Sequence, residues 1–168
     1  MIDEGEGKGS SVGSSVLEAK RDTSSLAGKY LTFELANEGY GIEILKVREI
    51  IGLMEITKVP RMPHYVRGVI NLRGKIIPVV DLRTKFGMEN ATDTNETCII
   101  VVEAMQNGEP AMVGILVDAV SEVLNIAADE IEETPTFNIS LNADFIMGIG
   151  KIRDEIKILL DIDRALSD

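Results

Sequence analysis

The chain has 168 residues and a mass of 18.3 kDa, a length that fits one domain or two small, closely packed ones. Seventeen Lys and Arg against 28 Asp and Glu give a net charge of −11, which disfavours nucleic-acid partners and anionic membrane surfaces. Cys98 is the only cysteine, which predicts a reducing compartment. Neither a membrane span of ~20 apolar residues nor a signal-peptide pattern is found, so a soluble, cytoplasmic protein without membrane insertion is expected.

Residues 1–28 differ in composition from the rest of the chain. They carry eleven Gly or Ser and few apolar side chains, too little apolar surface to offset the entropy of ordering them. A flexible tail is predicted. The alternative is a short helix around Val16–Lys20 that docks on a partner.

From Tyr30 onward almost every predicted element is a strand. Leu31, Phe33 and Leu35 alternate with polar or amphipathic residues, the pattern of a half-buried strand. Asn107-Gly108 is a favourable dipeptide for a tight turn between two later strands. The four predicted hairpins join 30–35 to 40–44, 69–72 to 75–80, 97–105 to 112–117, and 147–152 to 156–160.

Proline and aspartate positions refine this all-β prediction. Pro78 donates no backbone hydrogen bond, so its strand is expected to lie at a sheet edge at that position. Asp81 is predicted to cap a helical turn over 82–86, and Asp161 or Asp163 to cap a final turn ending at Leu166.

The chain also repeats itself. Residues 41–51 align without gaps on 114–124, with four identities and three aliphatic exchanges. Residues 66–82 align on 146–162 in the same order. A chance resemblance between aliphatic hairpins is the alternative explanation. A true duplication predicts two modules of short strands, each curled into a small barrel and packed against the other.

The sequence contains little that catalysis requires. Cys98 begins an aliphatic strand, where a buried thiol is expected, and His64 is the only histidine. A Cys98–His64 dyad would lack a third group and an oxyanion donor. The acidic run at 129–133 lacks the ligand pattern of a calcium loop, and the ligands for zinc are too few, so neither a metal nor a cofactor is predicted.

An apolar stripe is the best candidate for a binding surface. Ile44, Val47 and Ile50 are spaced by three, which predicts that the strand passes into a short helical or irregular turn. Val117, Val120 and Val123 hold the same positions in the second repeat. These residues are either core or two ridges that line a groove between barrels, a shape that suits an amphipathic helix.

A family resemblance rests on residues 40–50 and 113–123 and on the motif Gly-Val-x-Asn-Leu-Arg-Gly-x-Ile-x-Pro-Val-x-Asp-Leu at 68–82. Through these residues the chain resembles the CheW family of bacterial chemotaxis coupling proteins. The resemblance implies two packed SH3-like five-stranded β-barrels with a few short helical turns. The domain would span 29–168 after the tail at 1–28. Its barrels would cover roughly 36–95 and 96–162, with terminal strands free to cross between them.

The resemblance further implies a non-catalytic scaffold, without cofactor or metal. It would couple the regulatory domain of the histidine kinase CheA to the cytoplasmic tips of chemoreceptors, in the cytoplasm at membrane-associated receptor arrays. The alternatives are the same role in a non-motility chemosensory pathway, or a small thiol enzyme using Cys98 and His64.

The resemblance also implies which residues bind. Glu49 and Arg73 match a polar pair beside the receptor site, and an ordinary exposed turn residue is the alternative interpretation of Arg73. Phe137 matches a kinase contact, and Glu132 departs from the basic residue of some members. Gly68 is expected to be structural. The implied receptor-binding residues are Leu31, Ile44, Val47, Glu49, Ile50, Arg73 and Val120.

Overall fold

Short strands dominate residues 25–88, 92–133 and 144–167, which are the residues that this computed structural model describes. The strands are β1 (Gly28–Leu35), β2 (Glu38–Glu43), β3 (Val47–Gly52), β4 (Val66–Leu72), β5 (Lys75–Asp81), β6 (Cys98–Gln106), β7 (Glu109–Val117), β8 (Ala119–Ile126), β9 (Ile131–Glu132), β10 (Ile146–Ile152) and β11 (Glu155–Leu160). The helices are α1 (Leu82–Lys85) and α2 (Ile162–Ala165), with 3₁₀ turns at Ile44–Lys46 and Ala128–Glu130.

The strands form two sheets, which confirms the all-β prediction. Sheet I has the order β3-β6-β7-β5-β4, and sheet II has the order β8-β1-β2-β11-β10-β9. Sheet II has six strands where five were predicted, because the two-residue strand β9 pairs with β10. Strand β5 pairs with β7 from Val79 onward, so Pro78 lies just before this pairing begins and is paired with β4. The missing N–H of Pro78 predicted such an edge position.

The two sheets divide the chain differently from the predicted boundaries at 36–95 and 96–162. Sheet I takes β6 and β7 from the second repeat, and sheet II takes β1 and β2 from the first. The chain crosses between sheets after β2 and again after β7. Each sheet therefore combines a hairpin from one repeat with the later strands of the other.

The pairing geometry repeats along with the sequence. Val79 pairs in parallel with Gly114, and Leu159 pairs in parallel with Gly41, at corresponding positions of the two repeats. The backbone N–H of Asp81 donates to the Tyr65 carbonyl at 2.8 Å, and the corresponding N–H of Asp161 donates to Phe145 at the same distance. The match extends to α1 and α2, because each helix is capped at its N-terminus by an aspartate side chain at the corresponding position. This agreement confirms the duplication.

A β-bulge explains the apolar spacing of three. The register between β3 and β6 shifts between Val47 and Glu49, and the extra residue places Val47 and Ile50 on the same side of the strand. The 3₁₀ turn at Ile44–Lys46 confirms the predicted turn, but it is only three residues long. The stripe beyond it is therefore a bulged strand.

Three apolar clusters hold the fold together. One lies inside each barrel, around Ile99 and Val101 of β6 in sheet I and around Tyr30 and Leu159 in sheet II. The third, here called the joint core, joins the two sheets. It contains Leu31, Phe33, Leu35, Tyr40, Ile42, Val80, Leu82, Ile100, Val102, Ala104, Val113, Ile115, Val117, Leu160, Ile162, Ala165 and Leu166.

A buried ion cluster fastens one of the two crossings between sheets. The Arg83 side chain is 2% exposed and donates to Asp81 at 2.9 Å, to Asp93 at 3.0 Å and to Asp118 at 2.9 Å. Asp118 lies between β7 and β8, where the chain leaves sheet I. At the other crossing, Lys46 forms a 3.0 Å ion pair with Asp163 of α2.

Gly68 permits a close backbone approach beside β4. Its φ is +144°, and a Cβ added there would lie 2.1 Å from the Thr57 carbonyl oxygen. That oxygen accepts the Val69 N–H at 2.8 Å, while the Thr57 N–H donates to the Val69 carbonyl at 2.9 Å. The structural role expected of Gly68 follows from this contact.

We expect Gly68→Ala to lower the free energy of unfolding by about 2–4 kcal/mol, since it strains the backbone and displaces both hydrogen bonds. Urea denaturation measures the change. Gly52→Ala is the matched control because a Cβ at Gly52 meets no atom within 4 Å, and its expected effect is within about 1 kcal/mol. Equal stability of the two variants would contradict this role for Gly68.

Candidate functional site

Four of the predicted receptor-binding residues lie on or beside the joint core without being fully covered. Ile44, Val47 and Val120 are half-buried and pack against the joint core, and Ile50 is 46% exposed. We call these four residues the interbarrel face. Ile44, Val47 and Val120 are held by the core beneath them, and all four side chains remain accessible from outside.

Strand β6 connects the two ends of this face. Along β6, Cys98 and Ile100 are the first two residues whose side chains face the joint core. The thiol of Cys98 accepts a hydrogen bond from the Val120 backbone. Ile50 is paired with Ile100 across the strands. Paired residues point to the same side of a sheet, so Ile50 lies on the same side of the sheet as Ile100 and Cys98.

The other end follows from the same register. Val47 is paired with Val102, four residues beyond Cys98 along β6. Four residues of strand span ~13 Å, about two turns of an α-helix. The interbarrel face therefore has the length over which a docked helix presents apolar residues at positions i and i+7.

Leu31 is the exception among the apolar predictions. Its side chain is only 2% exposed, and it lies in the joint core, paired with Ile42 on one side and Val123 on the other. The expectation that Leu31 contacts a partner directly is wrong for this conformation. Leu31 instead supports the strand that carries Val120 and Val123.

The two ridges predicted from the repeat are only partly equivalent. Val123 is 50% exposed, close to the value for its repeat mate Ile50. Val117 is fully buried, whereas its mate Ile44 is half-buried. The difference arises because β7 continues through Val117, while β2 ends at Glu43 and the 3₁₀ turn begins at Ile44.

Glu49 and Arg73 form the predicted polar pair. The Arg73 guanidinium donates to both oxygens of the Glu49 carboxylate, one of them at 3.1 Å. This hydrogen bonding lowers the pKa of Glu49 and raises the pKa of Arg73. Arg73 and Gly74 form the β4–β5 turn, both with positive φ, so the pair links the two edge strands of sheet I.

Two features at the edge of the face were not predicted from the sequence. Leu45, in the 3₁₀ turn, is 83% exposed, and Arg48 forms an ion pair with Glu103. The position of Leu45 between Ile44 and Lys46 was the available signal, since an apolar residue within a three-residue turn has little core to enter. Phe137 lies outside the described residues, and Glu132 is exposed on β9.

Cys98 and His64 occupy different surroundings. His64 is exposed and packs edge-on against Tyr65 with ring centroids 5.6 Å apart. Cys98 is half-buried against the joint core. Burial raises the pKa of the Cys98 thiol, against the opposing effect of the Val120 backbone hydrogen bond.

We expect N-ethylmaleimide to label native Cys98 at pH 7 at least about tenfold more slowly than the urea-unfolded chain, because the thiolate is both scarce and covered. Labelling followed by mass spectrometry measures the two rates. Fast labelling of the native chain would support the thiol-enzyme alternative.

Comparison with known proteins places this geometry in a family. Residues 29–168 match the CheW-like domain family. The chemotaxis protein CheW of Klebsiella aerogenes is 40% identical over 149 residues, which cover 86% of this chain and 87% of that protein. The chemotaxis protein CheW of Treponema pallidum is 30% identical over 137 residues, which cover 82% and 81%.

The fold agrees with these relatives. The crystal structure of the scaffolding protein CheW from Thermoanaerobacter tengcongensis matches with a TM-score of 0.74 and 37% identity, covering 83% of this chain and 92% of that one. No helix among residues 25–88, 92–133 and 144–167 is long and apolar enough to cross a membrane. The resemblance drawn from the sequence is confirmed: the chain belongs to the CheW-like domain family of chemotaxis scaffolding proteins.

Proposed function

We propose that this chain is a non-catalytic adaptor that binds the regulatory domain of the histidine kinase CheA and the cytoplasmic tip of a chemoreceptor at the same time. The observation that carries the proposal is the interbarrel face, an apolar surface seated on the core of a protein from a scaffolding family. Affinity at such surfaces comes from a few well-supported apolar anchors.

The receptor tip is the partner proposed for the interbarrel face. A helical hairpin offers rows of apolar side chains at helical spacing, and the ~13 Å along β6 between Cys98 and Val102 accommodates about two turns. Glu49 precedes Ile50 on β3 and accepts hydrogen bonds from Arg73, so both signs of charge lie near this end of the proposed contact. Polar groups there orient the helix, while Val47, Ile50 and Val120 supply the apolar contact.

The kinase regulatory domain is proposed to bind elsewhere, with Phe137 at the contact. Two separate sites are required because an adaptor must hold both partners together. The complex would form in the cytoplasm, at receptor arrays beside the membrane. No cofactor or metal is needed for this role.

Calorimetric titration tests the bridging role directly. The full chain is titrated into the isolated CheA regulatory domain, and a second titration adds a receptor-tip helical hairpin to the preformed complex. We expect micromolar or tighter binding in the first titration and undiminished receptor binding in the second. Absence of kinase binding, or mutually exclusive binding of the two partners, would refute the adaptor role.

A further inference from the structure

The 3₁₀ turn at Ile44–Lys46 carries part of the interbarrel face but has little packing of its own. None of its three residues is fully buried, and no side chain caps its first turn. The hydrogen bond from the Val47 N–H to the Ile44 carbonyl closes the turn. Because segments with few buried contacts open easily, this turn depends on support from other parts of the fold.

Asp163 of α2 supplies such support. One of its carboxylate oxygens accepts a hydrogen bond from the Lys46 ammonium at 3.0 Å, and the other accepts the Met105 backbone N–H at 2.9 Å. Met105 lies near the end of β6, the strand with which β3 pairs. A single side chain therefore joins the 3₁₀ turn to α2 and to β6. Arg48 adds a longer hydrogen bond to the Leu45 carbonyl, at 3.2 Å.

The duplication gives this aspartate a counterpart of opposite charge. Asp163 is the second residue of α2, as Arg83 is the second residue of α1. Arg83 fastens the crossing after β7 through Asp118, and Asp163 fastens the crossing after β2 through Lys46. The Arg83 side chain is 2% exposed, whereas those of Asp163 and Lys46 are 30% and 33% exposed. Since exposed ion pairs contribute less than buried ones, the crossing that carries the 3₁₀ turn is the more weakly fastened.

We propose that Asp163 is a positioning residue for the interbarrel face. Acting through Lys46, it holds the 3₁₀ turn so that Ile44 and Val47 are presented to a partner in one arrangement. The inference rests on the proposed function for its effect on receptor binding, although its effect on the turn can be observed in the isolated chain. A face that adopts its binding arrangement only part of the time binds with a lower apparent affinity.

Amide hydrogen exchange of the full chain tests the effect on the turn. Asp163→Asn keeps an acceptor for the Met105 N–H but loses the charge that holds Lys46, Lys46→Met removes the cation, and Lys46→Arg retains the ion pair. The Val47 amide should exchange about three- to tenfold faster in the first two variants and at an unchanged rate in the third. The Ile131 amide, which closes the other 3₁₀ turn, is the internal control and should not change.

Calorimetric titration tests the effect on binding. Asp163→Asn and Lys46→Met should each weaken binding of a receptor-tip hairpin by about three- to tenfold and change affinity for the CheA regulatory domain by less than about twofold. Lys46→Arg should bind both as the unchanged chain does. The double variant should bind the hairpin no more weakly than Lys46→Met, because Asp163 acts through the lysine. Glu155→Gln is the matched control, since it removes the 3.3 Å ion pair with Lys157 away from the face.

The results separate this proposal from the proposed function. Unchanged Val47 exchange in Asp163→Asn, or faster exchange with unchanged receptor affinity, would overturn the positioning role. Equal weakening of receptor and kinase binding would indicate a general loss of stability and would also overturn it. Weaker receptor binding in Lys46→Met alone would make Lys46 a direct contact, again against the proposal. Faster Val47 exchange in Asp163→Asn, with no receptor binding even by the unchanged chain, would support the hold on the turn and refute the receptor role.

Discussion

Replacing Arg83 with methionine is expected to lower the free energy of unfolding by about 3–5 kcal/mol, the largest stability effect that the fold predicts for one side chain. The guanidinium is buried and donates to Asp81, Asp93 and Asp118. Methionine fills similar space but leaves the buried Asp81 carboxylate with Arg67, at 3.3 Å, as its remaining cation, and it removes the 2.9 Å ion pair of Asp118. Urea or thermal denaturation at pH 7 measures the loss.

The matched control lies on the corresponding helix of the second repeat. The Arg164 side chain is 65% exposed and its ion pair with Asp161 is long, at 3.7 Å, so Arg164→Met should change stability by less than about 1 kcal/mol. If Arg83→Met is equally mild, the ion cluster does not fasten the crossing between β7 and β8.

Acid should reduce the difference between the unchanged chain and Arg83→Met. Hydrogen bonds from Arg67 and then Arg83 lower the pKa of Asp93 from 3.8 to about 2. A carboxyl whose pKa is lower in the folded state adds stability above its unfolded pKa, and that stability is lost as the pH falls through the folded pKa. The difference in unfolding free energy between the two chains should therefore narrow between about pH 4 and pH 2. A constant difference over this range would exclude a contribution from Asp93.

The ion cluster also shows what the sequence could not reveal. Asp118 is 35 residues from Arg83, and the two meet only because the chain crosses from sheet I to sheet II between β7 and β8. The same crossings are the reason why the predicted barrel boundaries differ from the observed sheets. Local alternation locates a hairpin such as β1–β2, but it does not determine which sheet the hairpin joins.

Leu31 illustrates a second limit. Alternation correctly separates the two sides of β1, yet both sides are buried, with Leu31 towards the joint core and Tyr30 towards the interior of sheet II. A pattern of period two cannot distinguish a side that faces a partner from a side that faces another sheet.

The spacing of Val47 and Ile50 was similarly ambiguous, because a bulged strand and a helical turn both separate apolar residues by three. The hairpins and the duplication were predictable because each depends on neighbouring residues.

Introducing a charge on the interbarrel face is expected to separate receptor binding from kinase binding. Val47→Asp and Ile50→Asp should each weaken binding of a receptor-tip hairpin by at least about 30-fold, the effect of losing one apolar anchor worth about 2 kcal/mol. Affinity for the CheA regulatory domain should change by less than about twofold, because that partner is assigned to another surface. Isothermal titration calorimetry measures both affinities.

Two variants are needed because the two side chains differ in burial. Val47 packs on the joint core, so an aspartate there also lowers stability, whereas Ile50 is 46% exposed and its replacement spares the core. Ile156→Asp is the control, since Ile156 is 61% exposed on β11, away from the face. Loss of receptor binding in Val47→Asp alone would indicate a folding defect, whereas loss in both face variants with retention in Ile156→Asp would identify the interbarrel face as the receptor site. Unchanged receptor affinity in Ile50→Asp would exclude Ile50 as an anchor and leave the face without its most accessible apolar contact.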